Sequence, residues 1–132
     1  MNSRRYVIAI DFDGTVVTHE YPAIGRDAGA VPVLKELVDR GHRLLLLTMR
    51  DGVLLENAKR WFADRKIPLW AVNTNPEQRS WTNSPKVYAN LYIDDSNLGC
   101  PLKIMDGAAR PVADWTKIRQ QLIAEGFLDY DD

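Results

Sequence analysis

The chain has 132 residues, room for one domain with a real core and no need of covalent staples. With 45% hydrophobic and 27% charged residues it has an ordinary soluble globular composition. A formal net charge of −1 argues against nucleic-acid binding by bulk charge, although a small local basic patch would still allow nucleic acid as a partner. Cys100 is the only cysteine, which excludes an intrachain disulfide and leads us to expect a reducing, cytoplasmic setting. We expect no signal-peptide core and no membrane span, because no apolar run is long enough.

The first apolar run, Tyr6-Val7-Ile8-Ala9-Ile10, reads as a buried strand. It delivers Asp11-Phe12-Asp13-Gly14-Thr15. In extended backbone, residues two apart point the same way, so Asp11 and Asp13 are expected to project together from one sheet edge. Two adjacent acids both stay ionised only beside a positive group, and a divalent metal is the simplest one. The duller alternative for the pair is a turn with side-chain bonds to its own backbone.

Val31, Leu34, Leu37 and Val38 follow at helical spacing and stop at Gly41. Arg43 to Thr48 predicts a second strand, ending in Thr48 and then Met49-Arg50-Asp51-Gly52. Leu54, Leu55, Ala58, Trp61 and Phe62 predict a second helix. A third strand is expected over Leu69 to Val72, a fourth over Leu91 to Ile93, and a fifth over Leu102 to Ile104. The stripe Val112, Trp115, Ile118, Leu122 predicts a last helix with Pro111 in its first turn, and the acidic tail from Asp129 to Asp132 is expected to fray. Strands alternating with helices predict a single α/β domain: a Rossmann-like parallel sheet of about five strands, covered on both faces and flanked by helices.

In open α/β sheets, ligands gather outside the carboxyl ends of the strands. Those ends carry Asp11 and Asp13, then Thr48, then Asp94-Asp95-Ser96-Asn97, with Lys86 just ahead of the fourth strand. Magnesium prefers oxygen ligands and shares its shell with water and substrate phosphate. Carboxylates from two strands suit it, and a hydroxyl and a lysine remain for phosphate oxygens. Arg50 reads equally as a phosphate or substrate contact and as a surface residue. His19 reads as a surface residue or a substrate contact above Asp11. Ser96 and Asn97 support a metal site or cap a turn. Arg79 and Trp81 read a substrate's charge and ring, or pack their loop. His42 falls on the wrong edge for this site.

This order of motifs resembles the haloacid dehalogenase (HAD) superfamily of phosphohydrolases, over roughly Tyr6 to Leu98. The resemblance implies a HAD-type domain and a phosphatase using magnesium. It makes Asp11 the nucleophile that forms an aspartyl-phosphate, and Asp13 the acid that protonates the leaving oxygen and then activates water. It places the metal on Asp11, on the backbone carbonyl of Asp13 and on Asp95, with Asp94 as a further or outer ligand. It gives Thr48 and Lys86 to the phosphate, with Lys86 also offsetting the charge of Asp11. An acid at Asp13 favours phosphate esters or anhydrides over haloacids. The stretches Val16 to Gly29 and Asn73 to Pro85 are too short for a cap domain, so an open site is expected. It would accept a phosphorylated small molecule or an exposed phosphate on a macromolecule. The rivals are a non-catalytic phosphate- or metal-binding regulatory domain and a partner-binding protein of the same fold. A receiver domain would need an acid after the third strand, where Val72-Asn73-Thr74 has none.

Overall fold

The computed structural model describes residues 4–130. Four parallel strands form the main sheet: β1 (Val7–Ile10), β2 (Arg43–Leu46), β3 (Ala71–Val72) and β4 (Leu91–Ile93), in the order β3-β2-β1-β4. Three helices accompany them: α1 (Ala30–Asp39), α2 (Gly52–Asp64) and α3 (Trp115–Ala124). β1 lies inside the sheet and all four of its residues are buried, which is why it carries no polar side chain. α1 closes where Gly41 takes φ +100°, a left-handed turn that glycine adopts without strain. No helix among the described residues is long and apolar enough to cross a membrane.

The sheet has two unlike faces. Ile8, Ile10, Leu44 and Leu46 pack with buried residues of all three helices, among them Leu34, Phe62 and Trp115. Val7, Ala9 and Leu45 point the other way and pack with Ala89, Trp70, Val87 and Tyr92, with no α-helical residue in that cluster. The connection from β3 to β4 supplies this cover in place of a helix. It contains one 3-10 turn, Gln78–Ser80, and buried amides hold it in shape. The Gln78 amide donates to the carbonyl of Lys86 at 2.7 Å and accepts from the Tyr88 N–H at 2.8 Å, while Asn75 donates to the carbonyl of Tyr88 at 3.0 Å.

Two expectations are corrected by the last third of the chain. The expected fifth strand does not join the parallel sheet. Leu102–Lys103 (β5) pairs antiparallel with Val112–Ala113 (β6). Pro111 therefore precedes a strand, and α3 starts at Trp115, with the Asp114 carboxylate accepting the Lys117 N–H. Val112 and Trp115 share one apolar face only because strand and helix meet there, so helical spacing alone misassigned the boundary. The Trp115 indole N–H donates to the carbonyl of Thr15 at 2.7 Å, tying α3 to the loop after β1. In the tail, Asp129 is held by Arg40 at 3.2 Å. Asp131 and Asp132 lie outside the described residues.

Candidate functional site

Because the strands run parallel, Asp11, Thr48, Asn73 and Asp94 all emerge at one rim. Phe12 is fully buried between Trp61 and Phe62, with ring centroids 5.8 and 5.7 Å away. Replacing such an anchor by alanine costs about 3–5 kcal/mol. Its burial turns the acids on either side of it away from the core.

The two acids then part company. The N–H groups of Thr15, Val16 and Val17 all converge on the carbonyl of Phe12, so the chain leaves the extended form there and the same-side rule stops applying. Asp11 joins Asp94 and Asp95, one oxygen from each lying within 4.8 Å of the others. The Asp13 side chain is absent from that cluster. Its carboxylate pairs with Arg50, at 2.8 Å from Nε and 2.7 Å from Nη2. The positive group expected between two acids is, for Asp13, an arginine.

Thr15 and His19 organise the acidic cluster. The Thr15 hydroxyl lies 2.9 Å from Asp11 Oδ2 and 3.2 Å from Asp95 Oδ1, and accepts the Asp95 N–H at 2.9 Å. A hydroxyl has one hydrogen, and the shorter contact goes to Asp11. His19 Nε2 sits 3.1 Å from Asp95 Oδ2, so His19 steadies an acid rather than facing a substrate or solvent. This approach needs Gly14: a Cβ there would lie 2.1 Å from the His19 ring and 2.7 Å from Asp95 Oδ2. The Asp94 carboxylate accepts the Ser96 N–H at 2.8 Å, so it also caps its turn, and Asn97 donates to the carbonyl of Tyr92.

Burial pushes the Asp11 carboxyl up to about 7, and the charges of Asp94 and Asp95 push the same way against the Thr15 hydrogen bond. Lys86 does not offset Asp11: it is exposed and forms no ion pair with any described acid. It instead shares with Asp94 the wall of a groove of about 860 Å³ along the open edge of β4. Three carboxylates that no described lysine or arginine pairs with are a donor set that fits a hard divalent ion.

Thr48 is half-buried and oriented from both sides. Its N–H donates to Asn73 Oδ1 at 2.8 Å, and its hydroxyl oxygen accepts the Arg50 N–H at 3.2 Å, leaving the hydroxyl hydrogen to donate elsewhere. Arg50 itself is 2% exposed, neither a surface residue nor an open phosphate contact. Arg79 and Trp81 are both exposed, and Trp81 meets Tyr88 edge-on at 5.7 Å. His42 stands at the opposite end of β2 and is structural. Its Nδ1 accepts the Tyr6 N–H at 3.1 Å and its Nε2 donates to the carbonyl of Phe127 at 2.6 Å. Cys100 is half-buried, and burial raises its thiol pKa, with the charges of Asp95 and Asp94 adding to the effect. A raised thiol is a poor nucleophile.

Sequence reasoning gave Thr15 no role of its own, left His19 undecided and missed the Arg50–Asp13 pair. Arg50 carried a signal, a lone cation two residues past the strand-end Thr48. Its partner lies 37 residues earlier, beyond the reach of local patterns.

No family model matches the sequence, and no curated protein matches it. A solved structure described as that of a conserved protein coded by a locus from Bacteroides thetaiotaomicron is 38% identical to it. The match covers 93% of each chain with a TM-score of 0.72. At that identity and coverage, the chain belongs to the same family as this conserved Bacteroides thetaiotaomicron protein.

Proposed function

We propose that this chain is a magnesium-dependent phosphohydrolase of the HAD type, acting on phosphomonoesters or related phosphates through an aspartyl-phosphate on Asp11. The observation that carries this reading is the convergence of Asp11, Asp94 and Asp95 within 4.8 Å at the carboxyl ends of β1 and β4. Asp11, Asp95 and Asp94 would hold the ion. When bound, magnesium neutralises these acids and the phosphate oxygens they face.

The residues of the chain divide the remaining tasks. Thr15 fixes the Asp11 carboxylate in one orientation, which prepares it for in-line attack. Thr48 offers its hydroxyl hydrogen to a phosphate oxygen from a fixed backbone. Lys86, exposed on the groove it shares with Asp94, offers a positive charge to the substrate. The Asp13 carboxylate stands apart from the acidic cluster, as the group that handles protons. The short stretches after β1 and after β3 leave the rim open, so a phosphate carried on a large molecule is an acceptable substrate.

The test is hydrolysis of an aryl phosphate by the purified protein, with magnesium, with chelator, and for Asp11→Asn. The reading expects activity that requires magnesium and falls by at least about 1,000-fold in the variant, as for loss of a nucleophile. Undiminished hydrolysis by Asp11→Asn would refute it.

A further inference from the structure

The connection from β3 to β4 encloses a second hollow, which the tasks assigned so far leave unused. Its volume is about 470 Å³, within the range of small-molecule sites. It begins at Asn73, the residue that directly follows β3 at the carboxyl rim. Asn73 takes φ +57°, a left-handed conformation that asparagine tolerates better than most side chains. In that turn its Oδ1 accepts the Thr48 N–H at 2.8 Å. Its Nδ2 hydrogens have no acceptor among the described residues. One amide therefore steadies the backbone of Thr48, forms the near wall of the hollow and keeps two hydrogens to donate.

The rest of the wall contains two kinds of side chain. One kind shapes the loop. Gln78 and Asn75 are buried and bonded to the backbone as described above, and the hydroxyl oxygens of Thr82 and Ser84 accept the N–H groups of Ser84 and Lys86. The other kind is unengaged. No hydrogen bond or ion pair holds the side chains of Thr74, Arg79 or Asn83 among the described residues, and all three are exposed. A wall fixed by some polar groups that leaves others free is preorganised for a ligand, because little ordering remains to be done on binding.

The chemistry of the wall selects that ligand. Amides and hydroxyls pair with hydroxyl groups. Arg79 is the single charged side chain in the wall, and its guanidinium suits a carboxylate or a phosphate. No aromatic ring lines the hollow to stack a nucleobase, and no carboxylate lines it to repel an anion. β3 lies two strands from β1, which puts their ends about 10 Å apart. Thr48 stands between them. A phosphate held at Asp11 and Thr48 thus leaves the body of a small substrate within reach of Asn73. We propose that this hollow seats the body of the substrate, and that the substrate is a phosphorylated sugar or polyol with a second anionic group bound by Arg79. Asn73, Thr74 and Asn83 bond the hydroxyls between the two anions. The proposal rests on the phosphohydrolase reading above and narrows its substrate class.

The experiment follows phosphate release, with magnesium, from a neutral hexose phosphate, a phosphorylated hexonic acid, a hexose bisphosphate, a nucleoside monophosphate and an aryl phosphate. The acid and the bisphosphate identify which second anion is taken. For at least one of them, kcat/KM should exceed that of the neutral hexose phosphate and of the nucleotide by at least about 10-fold, the effect of one charge-assisted contact. In Arg79→Gln that preference should vanish, mainly through KM, and Arg79→Lys should restore part of it. A purely structural role for Arg79 would slow every substrate by one factor and keep the preference. Neutral hexose phosphate or nucleotide turned over as well as both anionic sugars overturns the proposal, as does a preference that survives Arg79→Gln. Aryl phosphate hydrolysis that depends on Asp11 then leaves the hydrolase reading standing. No hydrolysis of any member of the panel, the aryl phosphate included, overturns both.

Discussion

The acidic cluster should cost the metal-free protein stability, and Asp11→Asn should recover it. Burial, then the charges of Asp94 and Asp95, raise the Asp11 carboxyl from the ordinary 3.8 to about 7. A folded value above the unfolded one means stability that is complete below pH 3.8 and lost as pH rises through about 7. The rise corresponds to a ceiling of about 4 kcal/mol, and screening at a site that is only partly buried brings the expected loss to about 2 kcal/mol. For a chain of this size that is a fall in Tm of about 7 °C. The Asn side chain keeps an acceptor for the Thr15 hydroxyl and carries no charge. With a chelator at pH 8, Asp11→Asn should therefore melt about 7 °C above the unaltered protein, and near pH 4 the two should coincide. Magnesium should raise the Tm of the unaltered protein at pH 8 and leave the variant nearly unmoved. Calorimetric or fluorescence melts across this pH range decide it. A variant no more stable than the unaltered protein at pH 8 in chelator would refute the electrostatic reasoning.

Two further expectations concern the supports of the site and the far end of the sheet. Gly14→Ala should destabilise the protein by about 1–3 kcal/mol and weaken magnesium binding, since a Cβ there displaces His19 and Asp95. Urea melts and a metal titration measure both, and an unchanged metal affinity would separate His19 from the ion site. Burial lowers the His42 pKa below its ordinary 6.5, so the stability it contributes is complete above pH 6.5 and is lost as pH falls through its folded value. An NMR titration should show its ring protonating after that of free histidine, and protonation at or above 6.5 would contradict the buried pairing with Tyr6 and Phe127.

Much of this arrangement is legible in the sequence, and the illegible part has a common cause. The apolar stripes of α1 and α2 and the buried run of β1 are local patterns, and they place those elements within a few residues. Parallel strands also carry their end residues to one rim, so grouping Asp11 with Asp94 and Asp95 needs only the topology. The failures are non-local. Whether Leu102 joins the main sheet depends on Ala113, its partner in the antiparallel pair, and Asp13 is decided by Arg50 across 37 residues. The expected pairing of Asp11 with Asp13 failed because three N–H groups fold back on Phe12, a turn that the Gly14 position suggests but whose direction it does not set. Lys86 was assigned by its place in the order of motifs, and the structure leaves its ammonium exposed on the groove along β4 rather than against Asp11.

The most direct test of the central claim is a crystal structure of the protein grown with magnesium and beryllium fluoride, a mimic of a phosphoryl group on aspartate. We expect the fluoride adduct on an Asp11 oxygen, with a magnesium ion held between Asp11 and Asp95 and a fluorine accepting from the Thr48 hydroxyl. An ion bound away from these carboxylates, or an adduct on any other residue, would contradict the assignment.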